Sequence, residues 1–286
     1  MKPELITHAR ALLKHYRVAF CDIWGVLHDG VREYAEAGAA LERYRADGGT
    51  VVLVSNAPFP AGAVADVLAE KQVRRTAWDA IVSSGDIARQ HLAEAGYRRI
   101  HHIGFDWGLP LFEGAGLGLV ELDDAEAIVC TGVADIPGET GDSYRPLLAQ
   151  ALARHLPLVC ANPDLVVDVG GLLLPCPGVV GAVYAGMGGE VYWTGKPHRP
   201  AYDRALATSA RLTGRAVAPA EVLAIGDAAA TDIAGATAAG IDALFIAGGI
   251  HRDAVMPDGT LDADALARLL AEASVSARAA MTALRW

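Results

Sequence analysis

The chain alternates short, wholly apolar runs with stretches in which apolar residues recur at helical spacing. Val18–Cys21 is one such run and stops at Asp22. Residues 36–46 predict a helix, with Ala39, Ala40 and Tyr44 on one side. A second run, 50–54, ends in Ser55-Asn56-Ala57-Pro58. A helix over 61–70 and a short strand over 80–82 follow. Apolar runs too short for helices read as strands buried on both faces. Their alternation with helices predicts a parallel sheet covered by helices on both sides.

The rhythm continues to the end of the chain. Helices are predicted over 86–95, 144–154, 201–212, 231–239 and 263–272, and strands over 100–103, 127–130, 158–160, 191–193, 222–225 and 243–246. The stretch 169–189 carries no charge and is long enough to span a membrane. Pro175, Pro177 and glycines 170, 171, 178, 181, 186, 188 and 189 divide it, which predicts turns around short buried elements instead.

Composition narrows the class. With 52% hydrophobic and 20% charged residues, the chain is too apolar to remain disordered. Its formal net charge of -10 argues against a nucleic-acid partner, which needs a basic face. Four cysteines without a C-x-x-C pair predict reduced, buried thiols rather than a disulfide scaffold. Residues 1–10 hold no apolar core of signal-peptide length, so a cytoplasmic protein with no membrane partner is expected.

Ligand sites in open parallel sheets lie beyond the carboxyl ends of the strands. Asp22, Ser55-Asn56 and Gly226-Asp227 each fall there, and Lys196 follows the strand 191–193 and precedes a helix. The chain has only four lysines and two asparagines, and Lys196, Asn56 and Asn162 all fall in such strand-end segments. Converging carboxylates repel, and a divalent cation relieves the repulsion. Oxygen-only ligands favour Mg²⁺. A lysine and a hydroxyl suit a phosphoryl group, and a carboxylate can attack phosphorus.

Cys21–Leu27 (CDIWGVL), Val54–Asn56 (VSN), Gly195–Pro197 (GKP) and Ile225–Ile233 (IGDAAATDI) resemble, in order and spacing, the four motifs of haloacid dehalogenase (HAD)-like phosphatases. The long segment between the second and third motifs contains Cys160–Asp164 (CANPD), similar to the cap of the class IIA branch. The resemblance implies an α/β fold: a Rossmann-like core with a parallel sheet and an inserted α/β cap of the C2 type. Residues 1–83 and 190–286 would form the core and residues 84–189 the cap.

Carried over residue by residue, Asp22 matches the nucleophile, Ser55 the hydroxyl that binds the transferring phosphoryl group, and Lys196 the charge-neutralising lysine. Asp227 matches the Mg²⁺ ligand, joined by Asp22 and the backbone carbonyl of Trp24, with Asp232 in support. Asn56, Asn162 and Asp164 are expected to contact substrate, although Asn-Pro-Asp is also ordinary turn chemistry. The implied activity is Mg²⁺-dependent hydrolysis of a small phosphorylated metabolite through an aspartyl-phosphate. Caps of this branch take part in dimer contacts, which leaves a homodimer open.

One position departs from the pattern. The family usually places a second aspartate two residues after the nucleophile, where it protonates the leaving group and activates water. Trp24 stands there and has no proton to exchange. General acid–base help is worth about 10²–10⁴ in rate. His28, Asp29 or the substrate itself is expected to replace it. The alternative is a catalytically weak protein that binds a phosphorylated ligand and acts by binding or regulation.

Overall fold

The computed structural model describes residues 2–133 and 140–286. Seven parallel strands form the larger sheet, in the order Glu4–Leu5, Ala279–Met281, Asp242–Ile246, Val222–Gly226, Val18–Cys21, Thr50–Ser55 and Ala80–Ser83. Every residue of Val18–Cys21 and Val222–Gly226 is buried, as the unbroken apolar runs predict.

Side chains alternate between two cores because successive Cβ atoms of a strand point to opposite faces. Ala19, Cys21, Val51, Leu53 and Ile225 pack under helices Ala35–Ala46 and Ala61–Glu70, which contribute Leu41, Tyr44, Val64 and Leu68. Val18, Phe20, Val52, Val54 and Ala224 pack under helices Arg199–Thr213 and Ala263–Glu272, which contribute Tyr202, Ala205, Leu266 and Leu270. From Val18–Cys21 the chain builds outward through Thr50–Ser55, then later returns to the opposite side with Val222–Gly226. The strand order therefore reverses beside Asp22, the position where an open α/β sheet leaves a crevice.

A second, five-stranded parallel sheet lies between Ser83 and Val222 in sequence. Its order is Val191–Trp193, Leu158–Cys160, Ala127–Cys130, Arg99–Ile103, Gly118–Leu119. The smaller α/β unit is thus inserted into the larger. One strand falls differently from the expected border at residue 189: Val191–Trp193 pairs with Leu158–Cys160 and so belongs to the inserted sheet. Its closeness to Lys196 made it resemble a core strand that ends in a site residue.

The uncharged stretch is a hairpin and a helix. Val166–Val169 and Leu172–Pro175 pair antiparallel, and Gly178–Gly186 forms a helix whose Val180 and Tyr184 are buried under the smaller sheet. No helix among the described residues is long and apolar enough to cross a membrane. All four cysteines are unpaired and buried.

Candidate active site

Four segments deliver the site. Asp22 follows the central strand Val18–Cys21, and its N–H continues the ladder by donating to the carbonyl of Ile225 at 2.8 Å. Ser55 ends the neighbouring strand. Asp227 follows Val222–Gly226 on the other side. Lys196 arrives from the connection that leaves the inserted sheet.

Lys196 is the electrostatic centre. Its Nζ lies 2.6 Å from Asp22 Oδ1 and 2.6 Å from Asp232 Oδ1, and the residue is only 4% exposed. It is not a solvated lysine. Carboxylate oxygens of Asp22, Asp227 and Asp232 all lie within 4.8 Å of one another. Burial, then the like charge of Asp232, push the Asp22 carboxyl up to about 7 against the pull of Lys196. Burial and the charges of Asp22 and Asp232 push Asp227 well above the carboxylate range. Burial alone would lower the Lys196 ammonium, but Asp22 and Asp232 hold it well above its ordinary value.

Three clustered carboxylates thus face one ammonium that contacts two of them; ionised together they carry more charge than it balances, and their all-oxygen donor set fits a hard divalent cation. The hydrogen bonds sort the three. Asp232 is occupied at both oxygens, by Lys196 at Oδ1 and by the Ala228 N–H at Oδ2. Asp22 engages Lys196 through Oδ1, and Asp227 Oδ2 accepts from the Ile250 N–H at 2.7 Å. Among the described residues no hydrogen bond engages Asp22 Oδ2 or Asp227 Oδ1, which leaves both for a ligand. Gly25 and Gly249 let the backbone close on Asp227; a Cβ on either would overlap its carboxylate.

Asn56 ties the pieces together. Its Oδ1 accepts from the Lys196 N–H at 2.7 Å, while Nδ2 donates to the Lys196 carbonyl at 3.0 Å and to Asp164 Oδ1 at 2.9 Å. The same amide therefore places the lysine backbone and anchors a carboxylate of the inserted unit. Burial pushes Asp164 up to about 6, opposed by Lys196 and the Asn56 hydrogen bond. Asn162 Oδ1 accepts from the Asp164 N–H at 2.9 Å, so the turn chemistry is real and also positions the acid. Ser55 Oγ accepts from the Ala57 N–H at 3.1 Å and borders the same cavity as Asp22.

Trp24 faces the inserted unit. Its indole N–H donates to the Asp168 carbonyl at 2.7 Å, its ring packs edge-on against His28 at 5.0 Å, and Gly30 lies against its six-membered ring. The Asp168 carboxylate pairs with Arg252 at 3.2 Å. The hairpin is therefore fastened over the site by two contacts to the core. His28 is buried; its Nδ1 accepts from the Gly30 N–H, and desolvation pushes its pKa down to about 4. Asp29 lines a small cavity beside Asp22. Desolvation would raise its pKa, but the N–H groups of Arg32 and Val31 hold the carboxyl below its ordinary value.

Sequence reasoning missed three kinds of residue here. Asp168 and Arg252 form the clasp. Ser84 and Thr194 meet at 2.6 Å behind the Lys196 connection, where Gly195 packs on Ser84 and Asn56. Phe59, Phe105 and Trp107 line the cavity next to Ser55. Only the Pro58-Phe59-Pro60 run, one residue after Ser55-Asn56, offers a local signal.

A parallel α/β sheet with an aspartate, a hydroxyl and a second aspartate after its strands, joined by a lysine from the connection that leaves an inserted α/β unit and by a helical aspartate, defines a hydrolase of the haloacid dehalogenase type. Residues 19–118 match a family model described as haloacid dehalogenase-like hydrolase, and residues 193–273 match one described as HAD-hydrolase-like. A haloacid dehalogenase-like hydrolase from Brucella suis 1330 is 39% identical, over 98% of this chain and 100% of that one, with a TM-score of 0.86. The chain belongs to the haloacid dehalogenase-like hydrolase family. A glycerol phosphate phosphatase from Mycobacterium tuberculosis, in complex with calcium, is 25% identical over 89% of this chain and 76% of that one, with a TM-score of 0.65. A p-nitrophenyl phosphatase from Archaeoglobus fulgidus shares the fold at 19% identity over 94% and 96% of the two chains, with a TM-score of 0.70. No curated protein matches the chain.

Proposed function

We propose that the chain is a Mg²⁺-dependent phosphatase of small phosphorylated metabolites. The observation that carries this reading is the Lys196 ammonium held between Asp22 and Asp232, within a carboxylate cluster at the strand-order reversal. Asp22 attacks phosphorus in line with the departing oxygen, the P–O bond to the alcohol breaks, and an aspartyl-phosphate forms. Water then attacks that phosphorus and releases phosphate. Lys196 and Ser55 hold the phosphoryl oxygens. Phosphoryl transfer needs mainly alignment and charge neutralisation, and both are built into these residues. A cation held by Asp22, Asp227 and the Trp24 carbonyl would neutralise the phosphoryl charge and free Asp22 from repulsion. The calcium complex of the M. tuberculosis relative supports a divalent cation in this fold.

Proton transfer falls to a group other than Trp24. At neutral pH His28 is uncharged and enclosed, with Nδ1 already accepting. Asp29 is ionised and therefore accepts rather than donates. Asp164, half-buried and bordering the cavity that Asp22 also lines, carries the more suitable acid. A second reading rests on Trp24, whose side-chain N–H is committed to the Asp168 carbonyl: binding without efficient turnover. Phosphate release from a panel of esters separates the two readings. Turnover that disappears both with EDTA and in Asp22→Asn supports the phosphatase. Tight binding without turnover on every ester supports the binding protein.

A further inference from the structure

A cavity of about 360 Å³ opens from Asp22 and Ser55 and does not reach Asp227 or Asp232; it lies between the loop after Thr50–Ser55 and the inserted unit. That volume is in the range of about 300–1,000 Å³ that holds small organic ligands. Its floor at the nucleophile is polar and its walls are not. Phe59 comes from the core, and Phe105 and Trp107 come from the start of the 3-10 helix Asp106–Leu111 that follows Arg99–Ile103. Phe59 meets Trp107 edge-to-face with centroids 5.2 Å apart, and Phe105 stacks on Trp107 at 6.0 Å.

The wall is preformed. The Phe59 backbone lies directly on Gly85, where a Cβ would overlap it. A Cβ on Gly132 would meet Trp107 at 3.0 Å and Phe105 at 3.3 Å, so the rings occupy the space that a side chain there would need. The loop behind them is pinned by the hydrogen bond between His102 and Thr131 at 2.7 Å. Trp107 is nevertheless 47% exposed. A large ring left in water beside a reactive carboxylate is the kind of apolar surface that a ligand covers.

The charges exclude other occupants. Among the described residues no lysine, arginine or histidine lines this cavity; its ionisable groups are Asp22, Asp164 and the Cys176 thiol, which burial keeps protonated. A carboxylated leaving group would meet like charge without a counter-cation. A polyhydroxylated one would find few free partners, because the Asn56 amide is spent on Lys196 and Asp164, and Asn162 Oδ1 is spent on the Asp164 N–H.

We propose that this cavity receives the alcohol portion of the substrate, and that this portion is an uncharged aromatic group stacked on Trp107 and Phe105. The inference rests on the phosphatase reading for its reaction, but not for its binding.

Benzyl phosphate and ethyl phosphate test it, because both leave as alkyl alcohols and differ in the ring. The wild-type protein with Mg²⁺ is expected to favour benzyl phosphate in kcat/KM by about tenfold or more, with 2-phosphoglycolate slowest. Trp107→Ala should reduce that preference about tenfold, chiefly through KM, and Trp107→Phe should restore most of it. Equal rates for the two esters, a preference for 2-phosphoglycolate, or an unchanged ratio in a folded Trp107→Ala protein would overturn the proposal and leave the phosphatase standing. If no ester is turned over, the phosphatase reading fails separately. Benzylphosphonate and ethylphosphonate, titrated by tryptophan fluorescence with Mg²⁺, then decide the cavity: tighter benzylphosphonate supports it and equal affinities refute it.

Discussion

Lys196→Met removes the ammonium but keeps much of the aliphatic volume. In the native site this ammonium makes two 2.6 Å contacts, to Asp22 and Asp232, at 4% exposure. Removing one partner of a buried ion pair costs about 3–5 kcal/mol, because the remaining charge stays desolvated. Protonation limits the damage. Asp22 already sits near 7 with the lysine present, so without it the carboxyl moves higher and takes up a proton at neutral pH. Its folded pKa then lies above its unfolded one, the folded state binds more protons, and stability falls as pH rises through that window. The deficit of Lys196→Met should therefore be large at pH 8 and smaller at pH 5. At about 2–4 °C per kcal/mol for a chain of this size, the melting temperature in EDTA should drop by about 6–20 °C at pH 8. Phosphate release should fall by about a hundredfold or more, since Asp22, the proposed nucleophile, is protonated and the phosphoryl charge unscreened. Melting curves of both proteins in EDTA at the two pH values are the assay. A variant that melts with the wild type at pH 8, or whose deficit grows toward pH 5, would refute the electrostatic account of the cluster.

Other outcomes follow from the same geometry. Gly249→Ala pushes a methyl into Asp227; Mg²⁺ affinity, followed as thermal stabilisation against Mg²⁺ concentration, should weaken by about tenfold or more, and unchanged affinity would remove Asp227 from the cation site. Trp24→Phe deletes the hydrogen bond to Asp168 while keeping a ring; amide exchange in Val166–Val169 and Leu172–Pro175 should speed up by about fivefold, consistent with about 1 kcal/mol, and unchanged protection would mean that the indole does not fasten the hairpin. Asp164 is raised to about 6 in the fold, so between its unfolded value and about 6 it makes stability fall with rising pH. Asp164→Asn should flatten urea midpoints across pH 4.5–6.5, and an unchanged slope would assign that titration elsewhere.

The parts of the site that end apolar strands were legible from the sequence. Asp22, Ser55 and Asp227 each follow a buried run, and parallel topology sends all three to the same edge. The Gly195–Pro197 motif marks Lys196, but nothing local shows that the strand before it belongs to the inserted sheet, because strand pairing between distant segments leaves no local trace. The hairpin Val166–Val169 and Leu172–Pro175 was hidden because it does not alternate cleanly: Leu172 and Leu173 are 62% and 59% exposed. The helix Gly178–Gly186 was masked by the glycines and prolines that punctuate it; Gly178 lies against the Pro163 and Asp164 backbone and Gly181 against Trp193. The aromatic wall comes from segments about 50 residues apart and carries no spacing rule. Asn56 was legible as rare but not as a clamp, since its partners Lys196 and Asp164 are 140 and 108 residues away.

The central claim is that Asp22 is the nucleophile. Acid quenching during turnover of a radiolabelled phosphate ester with Mg²⁺, followed by proteolysis and peptide mapping, tests it most directly. The account predicts a hydroxylamine-sensitive label on Asp22 that is absent with EDTA and absent in Asp22→Asn. Sustained turnover with the label on another residue, or undiminished turnover in Asp22→Asn, would contradict it.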